Sequence, residues 1–275
     1  MHLQYRRMNE LRGPALALPR RSASPRHCPG ILSALPSEGF PKCLGGVLLW
    51  LGAVPLAGQQ YVVDDAAVVD PGACQIEAWH GERASWILPA CHLIPGLELT
   101  FGSGFVNGAG SDRTTEYAIE AKTLFRDPDV DGWGIGVVVG VGPNPSADAD
   151  QRRFGDVYVF SPASVPLLQG RLIVHGNLGW RWDRETVPST VDGSGSEAHH
   201  LTWGLRTDLP LHRFMSFLLE GYGEGSERPS VQMGFRTHFA DAGMEVDWSW
   251  GRALGRPGEG PGFTLGVSLF SGRLF

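Results

Sequence analysis

The stretch Met244-Glu245-Val246-Asp247-Trp248-Ser249-Trp250 separates by parity. Met244, Val246, Trp248 and Trp250 are large and apolar, while Glu245, Asp247 and Ser249 are acidic or polar. Successive side chains of a β-strand point to opposite faces, so this is a strand with one apolar and one acidic face. The pattern recurs upstream. In Gln232–Phe239, Met233, Phe235, Thr237 and Phe239 oppose Gln232, Gly234, Arg236 and His238. In Arg171–Trp182, Leu172, Val174, Leu178, Trp180 and Trp182 oppose Arg171, His175, Asn177 and Arg181. Tyr117, Ile119, Thr123 and Phe125 oppose Glu116, Glu120 and Lys122, and Leu201, Trp203 and Leu205 oppose Thr202, Arg206 and Asp208. About twelve such segments, each of roughly ten residues, begin near positions 73, 84, 97, 114, 132, 156, 170, 199, 213, 229, 243 and 261. Ten residues is the length of a tilted strand that crosses a bilayer.

The connections alternate in length. Ile94–Gly96, Asp127–Gly132, Leu167–Gly170, Leu209–His212 and Ala240–Gly243 are short. Asn107–Arg113, Pro143–Gly155, Asp183–His199, Gly223–Ser230 and Ala253–Gly262 are long, and only the first outer tip, Gly81–Ala84, breaks the rule. Short periplasmic turns and long outer loops belong to outer-membrane barrels. The sequence therefore predicts an all-β, antiparallel up-and-down transmembrane barrel with both termini periplasmic, in a Gram-negative outer membrane. A mean hydropathy of −0.09 agrees, because a barrel hides its lipid face in alternation. In this topology Trp180, Trp182, Trp203, Trp248 and Trp250, with Trp133 at the opposite rim, are expected at the membrane interfaces. The expected lumen-lining set is Glu116, Glu120, Lys122, Arg171, His175, Arg181, Arg206, Asp208, Glu220, Arg236, His238, Glu245 and Asp247. Each of these charges is read either as a rung of a structural ladder or as a determinant of pore polarity.

Ahead of the strands, Leu44–Leu56 is apolar, preceded by Lys42 and followed by Ala57-Gly58. A basic residue, an apolar run and a small-residue site are the pattern of a secretory signal. Residues 1–58 are thus expected to be an extension plus signal, and residues 59–275 the barrel. Beyond residue 58 there are 16 Lys/Arg and 27 Asp/Glu, a net charge of −11, which argues against nucleic acid as a partner. Cys28 and Cys43 would leave with the signal; Cys74 and Cys91 would enter an oxidising compartment. With the first hairpin tip at Glu82–Arg83, Cys74 falls opposite Cys91 and Trp79 opposite Trp86, so a disulfide is expected, the alternative being two reduced small apolar residues. The faces of this hairpin stay open, since Glu77 and Trp79 share one. A two-residue turn at Ala240–Asp241 would pair Arg236 with Glu245, Phe235 with Val246 and Met233 with Trp248. Residues 59–72 have no assigned role, a plug inside the barrel being one option.

Chemistry is sparse. His175 with Asn177 nearby and the pair His199–His200 are the candidate bases, but no serine stands at a compelling spacing, and Ser189–Ser196 lie in a Gly-rich loop. Adjacent histidines on a strand face opposite ways, so a shared metal site is not expected. No phosphate loop or Cys/His cluster appears, so neither cofactor nor metal is expected and the chain is not read as an enzyme.

The final Gly262–Phe275, with Phe263, Leu265, Val267 and Leu269 alternating, resembles the closing strand that outer-membrane barrels present to their assembly machinery. Ser271 and Arg273 depart from that pattern, so the strand is expected to end near Phe270. The opening of the barrel resembles the bacterial family of MetA-pathway phenol-degradation barrels, or transporters. The residues carrying this are Asp64, Asp65, Gly72, Ile76, Glu77, Pro89, Gly96, Leu97, Glu98 and Leu99. That resemblance implies passage of small aromatic or hydrophobic compounds. The expected function is a passive outer-membrane channel with a narrow charged lumen; the rivals are a lipid-modifying barrel enzyme and a non-conducting structural barrel.

Overall fold

The computed structural model describes residues 61–107, 113–143, 154–185, 196–255 and 260–275. The proposed signal and the bodies of most long loops, including residues 189–195, lie outside the described residues. Twelve antiparallel strands close into one barrel, each paired with its chain neighbours and β1 with β12. They are β1 (Cys74–Gly81), β2 (Ala84–Ile94), β3 (Leu97–Asn107), β4 (Arg113–Arg126), β5 (Gly134–Gly142) and β6 (Asp156–Leu167). After them come β7 (Leu172–Glu185), β8 (Ser196–His212), β9 (Met215–Glu224), β10 (Ser230–Phe239), β11 (Met244–Ala253) and β12 (Gly262–Phe270). A helical turn, α1 (Pro128–Asp131), bridges β4 and β5; its amide at Asp129 is capped by the Asp127 side chain.

Burial is inverted relative to a water-soluble fold. Leu265, Trp248, Trp250 and Phe101 are 51%, 43%, 45% and 50% exposed, whereas Glu220, Asp247, Arg206 and His175 are 1%, 2%, 3% and 0% exposed. Apolar side chains outward and charges inward, on a sheet with no free edge, describe a transmembrane barrel. The expected aromatics take the outer face: Trp133, Trp180, Trp203, Trp248 and Trp250 are exposed, and Trp182 is half-buried at the end of β7. Arg126 lies over the Trp133 ring at 4.5 Å on the rim that carries the short turns.

Two expectations are corrected. The β10–β11 register is displaced by two residues: Phe239 faces Met244, Arg236 faces Asp247, Phe235 faces Trp248 and Met233 faces Trp250. The loop holds four residues, Ala240–Ala242 in a tight helical turn and Gly243 at φ 55°, whose amide donates to the Ala240 carbonyl (3.1 Å). Gly243 adopts this left-handed conformation without steric cost, so the chain turns later than a two-residue turn would allow. A displacement of two restores the same face, so every inward and outward assignment survives. Arg171 is the second correction. It stands exposed in the turn before β7, because the tight turn at Leu168–Gly170 delays the strand to Leu172.

The first hairpin pairs as read, with Cys74 opposite Cys91, joined by a disulfide, and Trp79 opposite Trp86. Its open question is answered: Ile76 and Ile87 are exposed on the outer face, so Glu77, Trp79 and Trp86 turn into the lumen. β12 ends at Phe270, leaving a five-residue tail to Phe275.

Candidate lumenal site

Residues 61–70 lie inside the barrel. Val63 and Ala66 are 1% and 0% exposed, although they belong to no strand. A peptide without regular structure leaves its amides and carbonyls needing partners, and the lumen side chains supply them. The Glu220 carboxylate accepts the amides of Val62 (3.0 Å) and Val63 (3.1 Å). Arg206 donates to the Val63 carbonyl. With its amide oriented to satisfy both ends, Asn177 accepts from the Asp64 amide (2.8 Å) and donates to the Asp64 carbonyl (2.9 Å). Ser164 Oγ accepts the Ala66 amide (2.7 Å), and Glu98 accepts the Val69 amide (2.8 Å). His92 Nδ1 meets the Val69 carbonyl at 2.7 Å. Lys122 grips the Asp64 side chain at 2.7 Å and stands 3.9 Å from Asp65.

Behind this segment the inner faces of β7–β11 are packed and charge-matched. Arg206 is bound by Asp208 (2.9 Å), and Arg236 by Asp247 (2.6 Å and 2.9 Å), with Glu245 3.6 Å away. Glu245 also meets His238 at 2.9 Å. Arg181 reaches Glu224 at 2.9 Å and Asp156 at 3.5 Å. Of the expected lumen set, these residues with Glu116, Glu120 and Lys122 all sit inward, and Arg171 alone does not.

The structure also joins residues that the sequence left apart. Ser164 Oγ lies 2.8 Å from His175 Nδ1, and His175 Nε2 lies 3.4 Å from Asp208 Oδ2. Serine, histidine and aspartate in a chain are the parts of a hydrolytic triad. Here the serine is 2% exposed, turned to the lumen rather than to lipid, and already accepts the Ala66 amide. None of the three borders the open cavity. The arrangement therefore anchors the interior segment. The signal was available: carrying the β6–β7 pairing back from Leu167–Leu172 sets Ser164 opposite His175. His199 and His200 part as expected, His200 lying 3.6 Å from Glu224 and His199 beside the Trp180 ring.

Beside the segment lies a cavity of about 1140 Å3, bordered by the inner faces of β1–β4 and also by Arg181, Arg206, Arg236 and Glu245. Its lining reaches both rims, with Ala240, Ala242 and Ser271 at the short-turn end and Arg83, Pro143 and Pro261 at the other. Along the way it passes the segment, Glu77, Glu98, Glu116, Glu120, Trp79, Trp86 and Tyr158.

A family model described as "Uncharacterised conserved protein UCP029691" matches residues 46–267. No curated protein matches the chain. Among solved structures it is similar to the KdgM porin at 9% identity, covering 72% of this chain and 98% of that one with a TM-score of 0.49. It is similar to the NanC porin at 10% identity, 72% and 98% coverage and a TM-score of 0.47. The outer membrane protein Omp33 of Acinetobacter baumannii follows at 10% identity, 71% and 94% coverage and a TM-score of 0.37.

Proposed function

The chain belongs to the UCP029691 family, and we propose that it is a passive outer-membrane channel for small solutes, narrowed by its own N-terminal segment. The observation that carries this reading is the cavity beside residues 61–70, whose lining residues reach both rims. A barrel of twelve strands encloses a narrower lumen than the 16–18 strands of the large porins, and the segment narrows it further. Slow, selective passage follows. The apolar outer belt and the secretory pattern at residues 44–58 support an outer-membrane location, and the turn-length parity supports periplasmic termini. The resemblance to the MetA-pathway barrels makes small aromatic compounds the first solutes to try. The final strand is the element offered to the barrel-assembly machinery.

Single-channel recording on the purified protein in planar bilayers tests the proposal. Discrete, reproducible steps smaller than those of an open 16-strand porin are expected. A heat-modifiable barrel that inserts but stays silent at every voltage and salt concentration sinks the reading.

A further inference from the structure

The open wall of the lumen is organised in rows across the strands. Trp79 on β1 faces Trp86 on β2, Trp86 faces Gly104 on β3, and Gly104 faces Glu116 on β4. The two indoles stack with centroids 6.5 Å apart. Trp86 lies flat on the wall because of that glycine: a Cβ at Gly104 would come within 2.4 Å of the ring. The adjacent row places Glu77 opposite Leu88, with Ala118 and Gly102 beyond it. In the next row Glu120 faces Gly140, over which the Tyr158 hydroxyl donates to the Glu120 carboxylate at 2.5 Å. The wall is thus an aromatic floor on small residues, bordered by carboxylates.

Charge does not balance around the cavity that this wall borders. Nine carboxylates and five basic side chains line the cavity. Lys122, Arg181, Arg206 and Arg236 are each held by carboxylates of their own, and Arg83 stands at the hairpin tip. Glu77, half-buried beside Trp79, makes no hydrogen bond or ion pair with another described residue.

From this geometry we propose that the open wall binds organic cations, a protonated amine or quaternary ammonium carried on an aromatic or apolar group. An indole face attracts a cation through its quadrupole, and the flanking carboxylates add charge attraction. A purely inorganic cation has no use for a stacked indole floor. A neutral aromatic has no use for an unpaired glutamate, and an organic anion meets the excess of carboxylates. The inference names the solute class of the proposed channel and rests on that reading for its physiological meaning. The binding it describes requires no conduction.

The test is titration calorimetry on the intact protein in detergent with three probes that share a phenyl ring and differ in charge: benzylammonium, benzyl alcohol and benzoate. The expected result is benzylammonium binding at least about tenfold tighter than benzyl alcohol, with benzoate weakest. Glu77→Gln is expected to weaken benzylammonium about fivefold more than benzyl alcohol, and Trp86→Leu to weaken both. Equal affinity for the amine and the alcohol, a preference for benzoate, or no binding by any probe overturns the proposal. The comparison among probes on the unmodified protein stands even where a variant fails to fold. Cation-selective binding by a protein that never conducts would refute the channel reading alone; conduction without cation-selective binding would refute the solute class alone.

Discussion

The two walls of the lumen use the same strand geometry and both carry charges that reach the cavity, yet they differ in how those charges are paired. On β8–β11, opposite charges sit within one cross-strand step or two positions along a strand: Arg206 beside Asp208, Arg236 opposite Asp247, His238 opposite Glu245. These charges find partners, so this wall presents matched pairs to the lumen. On the β1–β4 wall the cross-strand neighbours of Glu77 are Leu88 and Ser268, neither of which can neutralise a carboxylate. Glu77 borders the cavity.

The sharpest way to break this comparison is to remove one charge from each wall. Arg236→Ala leaves Asp247, 2% exposed, without its bidentate partner. Loss of one member of a buried pair costs about 3–5 kcal/mol. Glu77→Ala removes a group with no ion partner and is expected to shift stability by less than about 0.5 kcal/mol. Urea unfolding of the refolded barrel, followed by heat-modified mobility or tryptophan emission, measures both. Equal losses would mean that Glu77 is as embedded as Arg236 and that the two walls do not differ.

The next effect belongs to the open wall alone, which is stitched covalently. Cys74 and Cys91 are 17 residues apart in sequence and joined by a disulfide between β1 and β2. Closing a loop of that length constrains the unfolded chain by about 3 kcal/mol in the entropy model. Cys74→Ala with Cys91→Ala, or reduction, is expected to lower the unfolding free energy by that amount and to leave the β8–β11 pairs intact. An unchanged stability would show that the ladder alone holds this hairpin.

The walls were unequally legible in the sequence. Parity assigned Glu116, Glu120, Lys122, Arg206, Asp208, Arg236, Glu245 and Asp247 to one side of their strands without knowledge of register. The two-residue displacement at β10–β11 therefore changed the partner of Arg236 and not its face. Parity failed at β1 because it assumes a polar interior; Trp79 and Trp86 are inward aromatics sharing a side with Glu77. Residues 61–70 could not be placed for another reason. They have no period, and their seat is built by side chains from β2, β3, β4, β6, β7, β8 and β9, contacts up to 158 positions apart in the chain. Local pattern carries none of that.

The smallest expected effects test whether the interior segment is what keeps the lumen narrow. Glu220 receives two successive amides, Val62 and Val63, and Ser164 receives the Ala66 amide while bonded to His175. Glu220→Gln places an amide donor where one of two acceptor oxygens stood, and a buried amide left unmatched costs about 1–3 kcal/mol. Ser164→Ala removes one neutral acceptor and costs about 1 kcal/mol. Neither change touches the strand ladder, so the loss falls on the seating of the segment rather than on the barrel. Conductance should respond in the same order: openings become larger or more frequent in Glu220→Gln and less so in Ser164→Ala, at nearly unchanged urea midpoints. If both variants conduct as the parent does, the segment is not the constriction and selectivity must reside in the open wall. If Ser164→Ala instead abolishes a measurable ester hydrolysis, the Ser164–His175–Asp208 chain is a catalytic group and not an anchor. The two outcomes read different observables, so one set of variants decides between a peptide held inside a channel and a triad masked by a peptide.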